Sequence, residues 1–234
     1  MFSQELTGYI SHGKEETYLE YKSSMRWANK TKNKEDKITK YTIVKAMLAM
    51  SNHRDGGVVV IGEKEIGNGE FRPVGISKMN YDSFKYDDIS RYLKGICQPQ
   101  IEFKITRDKL SLNGKDTFFV IIQIAEAKET PVICTKTILY DDSNPALGNN
   151  VLLRENCIYI RPKSPIESRE ISSVQEWRDL ISRILDNNRE ELLRRMPCSE
   201  FFEKNRKIDK KIEAPIMPKA DTMQFNKQLE SDKL

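Results

Sequence analysis

The chain has 234 residues, of which 38% are hydrophobic and 32% charged, with a formal net charge of +4. That length suits one domain plus an appendage, the modest apolar content confines the core to part of the chain, and so small a net charge names no partner. No stretch approaches the ~20 apolar residues of a membrane-crossing helix, and the cysteines (Cys97, Cys134, Cys157 and Cys198) form no C-x-x-C pair, which argues against a zinc site and for reduced thiols in a cytoplasmic protein.

Residues 1–13 read as a short helix or arm. From Lys14 to Ser24, Tyr18, Glu20 and Lys22 alternate with Leu19 and Tyr21, the period-two pattern of a strand with one polar face. A polar face on such a strand suits the border of a cleft. Between Lys22 and Lys45 stand eight Lys/Arg against two acids, Glu35 and Asp36. That excess can meet phosphates or simply form a solvated face. Residues 25–36 read as a mobile basic loop in which Arg26 and Lys30 flank Trp27, whose ring would stack on a base.

Ile38 to Met50 repeats its apolar residues at helical spacing and is a core-facing helix. The Asp55-Gly56-Gly57 corner follows, where glycine lets another backbone or a ligand come close. Val58 to Ile61 is a β-branched run suited to a strand buried on both faces. Gly62 ends it, and Ile66-Gly67-Asn68-Gly69 reads as a hairpin turn.

Tyr81 to Ile96 reads as a second helix, capped by Asp82 or Ser83 and ended at Gly95. Strands are expected at 101–105, 109–112 and 117–124, with the Asn113-Gly114 turn joining the last two. Short strands follow at 131–134, 137–140, 151–154 and 157–161, with a turn-rich stretch between Asp141 and Asn150. Ser172 to Leu185 is an amphipathic helix whose inner face carries Val174, Trp177, Leu180, Ile181, Ile184 and Leu185. The whole is an α+β domain over residues 5–186, a mostly antiparallel mixed sheet packed with helices. Residues 187–234 are a charged, partly helical and flexible extension.

Three acids point to chemistry. Glu15 and Glu20 lie in and before the first strand, and Asp55 sits on the glycine corner. Converging carboxylates bind Mg²⁺ or Mn²⁺, and such a metal activates water and stabilises a phosphodiester in flight. Lys22, on the same strand face as Glu20, would steady the same phosphate. His53 beside the corner is a candidate general acid or base, or a local hydrogen-bonding group. Arg161 and Lys163 are candidate phosphate contacts, or surface partners of Glu167 or Glu170. Tyr159 reads as a packing residue. No G-x-x-x-x-G-K-[ST] is present, which excludes a P-loop.

Glu15-x4-Glu20-Tyr21-Lys22, then the corner Ala49-Met50-Ser51-Asn52-His53-Arg54-Asp55-Gly56-Gly57, then Val59-Val60-Ile61-Gly62, and finally Tyr159-Ile160-Arg161-Pro162-Lys163-Ser164 together resemble the Schlafen AlbA-like domain family. The resemblance spans about residues 10–175. It implies an α+β fold with a nucleic-acid groove and, as in Schlafen nucleases, three acids that cut transfer or ribosomal RNA with a divalent metal. Glu15 and Glu20 match two of them. Asp55 is taken as the third, with Glu63 or Glu65 as alternatives, because Glu63-Lys64-Glu65 stands where the family has V-x-D. The expected nucleic-acid contacts are Lys22, Arg26, Trp27, Lys30, Arg54, Arg161 and Lys163.

The leading expectation is a metal-dependent endoribonuclease acting on structured RNA such as tRNA. The alternative is a non-catalytic DNA- or RNA-binding subunit, regulatory or part of a defence complex. ATP binding, which a family label suggests, comes last. A single lobe would pair into a homodimer to complete the two-lobed groove of Schlafen nucleases.

Overall fold

A computed structural model of the chain describes residues 8–10, 12–28, 34–112, 114–140 and 151–195. Lys30, Cys198, the turn-rich stretch at 141–150 and the segment from 196 onward lie outside the described residues.

The fold is α+β. Its centre is a four-stranded sheet in the order β1 (Leu19–Lys22), β2 (Gly57–Ile61), β7 (Lys115–Ile124), β6 (Phe103–Leu112). β1 and β2 run parallel, with Glu20 opposite Val59, and the other pairs are antiparallel. Parallel neighbours need a crossover, and α1 (Lys34–Ser51) supplies it. The β-branched run of β2 is buried along its whole length, as its composition requires.

Alternation along the strands sorts the core into two layers. Val59, Ile61, Val120 and Ile122 pack under Val44, Met47 and Met50 of α1. Leu19, Tyr21, Val58, Val60, Phe119 and Ile121 form the layer on the opposite face, with Ile10 and Phe71. Because Leu19 and Tyr21 point that way, Glu20 and Lys22 point to the α1 side.

Smaller pairs surround the sheet: β3 (Glu63–Gly67) with β4 (Glu70–Pro73), β5 (Cys97–Gln98) with β8 (Ile133–Cys134), β9 (Ile138–Leu139) with β10 (Val151–Leu153), and β11 (Tyr159–Ile160) with β12 (Arg169–Glu170). The β3–β4 turn is where the glycines place it, with Gly67, Asn68 and Gly69 all at positive φ.

Several expectations are corrected. The second helix is two helices, α2 (Lys78–Ser83) and α3 (Tyr86–Lys94). Phe84 leaves the helical conformation between them and plunges into the core. Ser77 caps α2, its hydroxyl accepting the Asn80 N–H at 3.2 Å. The strands expected at 101–105 and 109–112 are one ten-residue strand, β6. Polar Thr106, Arg107 and Asp108 sit comfortably in it because β6 is an edge, paired to β7 alone.

The last helix, α4 (Val174–Arg195), also differs. Of its expected inner face only Leu180 is buried and Ile184 partly so; Val174, Trp177, Ile181 and Leu185 are exposed. Polar anchors turn the helix this way. Arg183 Nη1 donates to Glu126 Oε1 at 2.6 Å, Asn187 Nδ2 donates to the same oxygen at 2.8 Å, and Asn188 Nδ2 donates to the Lys128 carbonyl at 2.9 Å. By backbone proximity the described residues up to Asn188 form one compact unit.

Candidate functional site

The polar edge of β1 meets the residue that follows β11. Arg161 has a fully buried side chain, and its guanidinium is spent on five acceptors. Nη1 donates to Glu20 Oε2 and to Ser168 Oγ at 3.2 Å. Nη2 donates to Glu15 Oε2 and to the Leu19 carbonyl, each at 3.3 Å, and Nε to the Glu16 carbonyl at 3.1 Å. Lys22 Nζ closes on the other oxygen of Glu20. Glu15 also accepts the Tyr21 backbone N–H at 2.9 Å.

Two acids and two cations therefore form a closed, formally neutral network. Burial, then the neighbouring Glu20 charge, pushes the Glu15 carboxyl above its ordinary pKa, against the pull of the Tyr21 N–H, Lys22 and Arg161. Arg161 is thus a partner of Glu15 and Glu20, not a surface partner of Glu167 or Glu170.

The corner is held just as firmly. Asn52 is buried and bridges three backbone groups: its Nδ2 donates to the carbonyls of Val132 and Tyr159 at 2.9 and 3.1 Å, and its Oδ1 accepts the Val132 N–H at 2.8 Å. Both glycines of the corner are required. Gly56 has φ +74°, and a Cβ there would collide with the Ile124 carbonyl oxygen. A Cβ on Gly57 would lie 2.6 Å from Met50 Cγ and Sδ. The close approach is to the protein itself, the Ile124 backbone at Gly56 and the Met50 side chain at Gly57.

Among the described residues Asp55 forms no metal-holding group with the two glutamates. Its backbone is left-handed, at φ 65°, its side chain is exposed, and its N–H donates to Glu126 Oε2 at 3.0 Å. Burial works to raise the Glu126 carboxyl, but the Asp55 N–H, Asn187 and Arg183 outweigh it and hold it low. Glu65 is exposed on the β3–β4 hairpin. Glu63 is buried near Tyr21 of the opposite layer, neither of its oxygens has a partner, and burial pushes its carboxyl up to about 8.

Among the described residues no group of three or more His, Cys, Asp or Glu side chains is placed to hold a metal ion. Glu15 and Glu20 meet, but Arg161 and Lys22 take the oxygens a cation would need. As arranged, this set does not fit Mg²⁺ or Mn²⁺.

The expected nucleic-acid contacts divide. Trp27 is a core residue, 4% exposed, edge-on to Tyr92 with centroids 5.9 Å apart. It is sealed by Lys40, whose Nζ sits 3.5 Å from the Tyr92 centroid and donates to the Ala28 carbonyl. The stacking role expected of Trp27 is therefore closed off. Arg26 is exposed, and Lys22 is committed to Glu20.

Arg54, Arg161 and Lys163 converge on one cavity of about 560 Å³, between the corner, the segment after β11 and α4. His53 and Arg183 line it too. Arg183 carried no signal of its own in the sequence beyond lying next to Leu180 and Ile184 on a helical face.

Known proteins can be set against this geometry. No curated protein matches the sequence. A crystal structure of the DIP2311 protein from Corynebacterium diphtheriae is similar at 15% identity and a TM-score of 0.39, over 71% of this chain and 24% of that one, so the chain spans about a quarter of that protein's length. A model of the Schlafen, AlbA_2 family matches residues 15–163, which takes in β1, the glycine corner, β11 and both walls of the Arg161 network; the chain belongs to that family.

Proposed function

We propose that this chain is a nucleic-acid-binding domain that takes backbone phosphate at the cavity between the glycine corner and the β11 segment. Family membership supports nucleic acid as the partner. The observation that carries the reading is the Arg161 network. It ties the segment that bears Lys163 to Glu15, just before β1, and to Glu20 within it, while Asn52 joins Tyr159 of the same segment to the corner that bears Arg54. Arg54 and Lys163 have no ion pair or hydrogen bond among the described residues, so both remain free for phosphate. Glu15 and Glu20 then serve as anchors of a buried guanidinium, and the domain binds without cutting.

Fluorescence anisotropy with labelled tRNA and single-stranded RNA and DNA tests this. Affinity is expected to fall log-linearly with salt, and the Arg54→Ala/Lys163→Ala double variant to reduce the slope by about two. Incubation of tRNA with Mn²⁺ is expected to leave it intact. Cleavage that Glu20→Gln abolishes would restore the nuclease reading, and no binding even at low salt would end both.

A further inference from the structure

The same cavity has an inner wall that the phosphate backbone of an uninterrupted strand does not explain. Arg183 has a side chain 7% exposed. Its Nη1 is used, on Glu126 and on the His53 carbonyl at 3.4 Å. Its Nε and Nη2 are buried with no partner. Those two N–H groups share one edge of the guanidinium, the side-on fork that matches two oxygens of a phosphate or carboxylate. Leaving charged donors unpaired in the interior is costly, so an intact empty fork points to an oxyanion that belongs there. His53 makes a second, independent case: its Nδ1 is also buried without a partner, and it lines the same cavity.

The acids of the lining are already engaged. Glu176 is held by Arg169 and accepts the Ser172 and Ser173 N–H groups, and Arg169 first, then Ser172, keeps its carboxyl down at about 2. Asp179 accepts from Gln175 Nε2 at 2.7 Å. Arg161 is neutralised by Glu15 and Glu20. Glu126 pairs the charge of Arg183 and Asp179 keeps its own, so the unpaired cations are Arg54 and Lys163 at the exposed rim, and Arg183 contributes two unpartnered donors.

We propose that this cavity binds a terminal phosphomonoester, with Arg183 gripping two of its oxygens and Arg54 and Lys163 closing over it. A monoester suits the arrangement better than an internal diester. It carries about two negative charges at neutral pH, and it has chain on one side only, so it can reach a buried fork. A volume of about 560 Å³ lies within the usual range for small-ligand sites, so a terminal nucleotide fits. Arg183 Nε and Nη2 are sealed from solvent, so the lining has to open for the oxyanion to reach them. The proposal deepens the nucleic-acid reading, on which it rests for the source of the phosphate. The phosphate could equally come from a free mononucleotide, and the test separates the two.

The experiment compares one short RNA carrying a 5′-phosphate, a 3′-phosphate or hydroxyls at both ends, by anisotropy, with AMP as competitor and inorganic phosphate in thermal-shift assays. One phosphorylated end is expected to bind roughly tenfold tighter than the hydroxyl form. Arg183→Lys keeps the charge, loses the fork and is expected to erase that preference while the hydroxyl RNA still binds. Should that variant not fold, Lys163→Ala, at the exposed rim, is expected to weaken the preference severalfold. Competition by AMP as effective as by the phosphorylated strand makes the source a mononucleotide; competition by the strand alone makes it a strand end. Equal binding of all three RNAs, with no shift from AMP or phosphate, overturns the phosphate site and leaves the nucleic-acid reading standing. A phosphate shift that Arg183→Lys removes, with no RNA bound, upholds the site and overturns that reading.

Discussion

Replacing Arg161 with methionine removes a guanidinium that five acceptors share. The side chain is wholly buried and Glu20 nearly so, so solvent cannot take its place. Glu15 and Glu20 are then left facing each other with only Lys22 between them and bulk solvent. Removing one partner of a buried ion pair costs about 3–5 kcal/mol. At roughly 2–4 °C per kcal/mol for a domain of this size, the expected fall in Tm is about 6–20 °C.

The deficit has a pH signature. The Glu15 carboxyl already titrates above its ordinary value, and losing Arg161 moves it further up. A carboxyl raised in the fold contributes fully below its unfolded pKa, and that contribution is lost as pH rises through the folded one. The variant is therefore expected to be weakest in mild alkali and to recover as pH falls toward 5. Urea denaturation at pH 5 and pH 8 measures this, and Glu20→Gln in the Arg161→Met background is expected to restore part of the loss. A deficit under about 1 kcal/mol, the range of an exposed pair, or one insensitive to pH, would refute the network as described.

Three further outcomes are expected. Glu63 is held at about 8 against an ordinary 4.5, so the protein should lose up to ~1.4 kcal/mol per pH unit between those values; Glu63→Gln should flatten that slope and be the more stable form at pH 9, as denaturant midpoints across pH would record. Gly56→Ala meets both the positive φ and the Ile124 carbonyl, so it is expected to cost several kcal/mol and to abolish soluble expression, whereas Gly114→Ala, with open space around it, should cost about 1 kcal/mol. Asn52→Asp trades two donated hydrogen bonds for a carboxylate facing two carbonyls; a loss of about 3 kcal/mol or more by chemical denaturation is expected.

Local signals carried the sequence reading a long way. The buried β2 run, the β3–β4 turn, α1 and the diglycine corner each announce themselves through propensity or period, and each formed where it was read, except that α1 begins four residues early, at Lys34, inside the stretch read as a loop. The site was legible as a set of residues but not as a set of partnerships. Glu15 and Glu20 are separated in sequence from Arg161 by the whole sheet, and nothing near any of the three says that the acids will be consumed by a guanidinium. Trp27 misled for a related reason: its neighbours in sequence are polar, and the Phe84 and Tyr92 rings that bury it come from the break after α2 and from α3, far along the chain. Arg183 was hidden by its setting, a charged residue in an amphipathic helix whose buried edge is chosen by Glu126 and not by its apolar stripe.

The Asn52 side chain is a primary amide doing the job of a peptide unit. It offers one acceptor and two donors to Val132 and Tyr159, as a neighbouring strand would. The end of α1, β8 and β11 are thereby stitched where no main-chain ladder joins all three. Thermal opening of any one of them has to unpick the others, so the amide protons of Val132 and of the turn at His53 to Gly56 are expected to exchange with solvent in a single cooperative event. The corner and the arginine that follows β11 would then melt together or not at all.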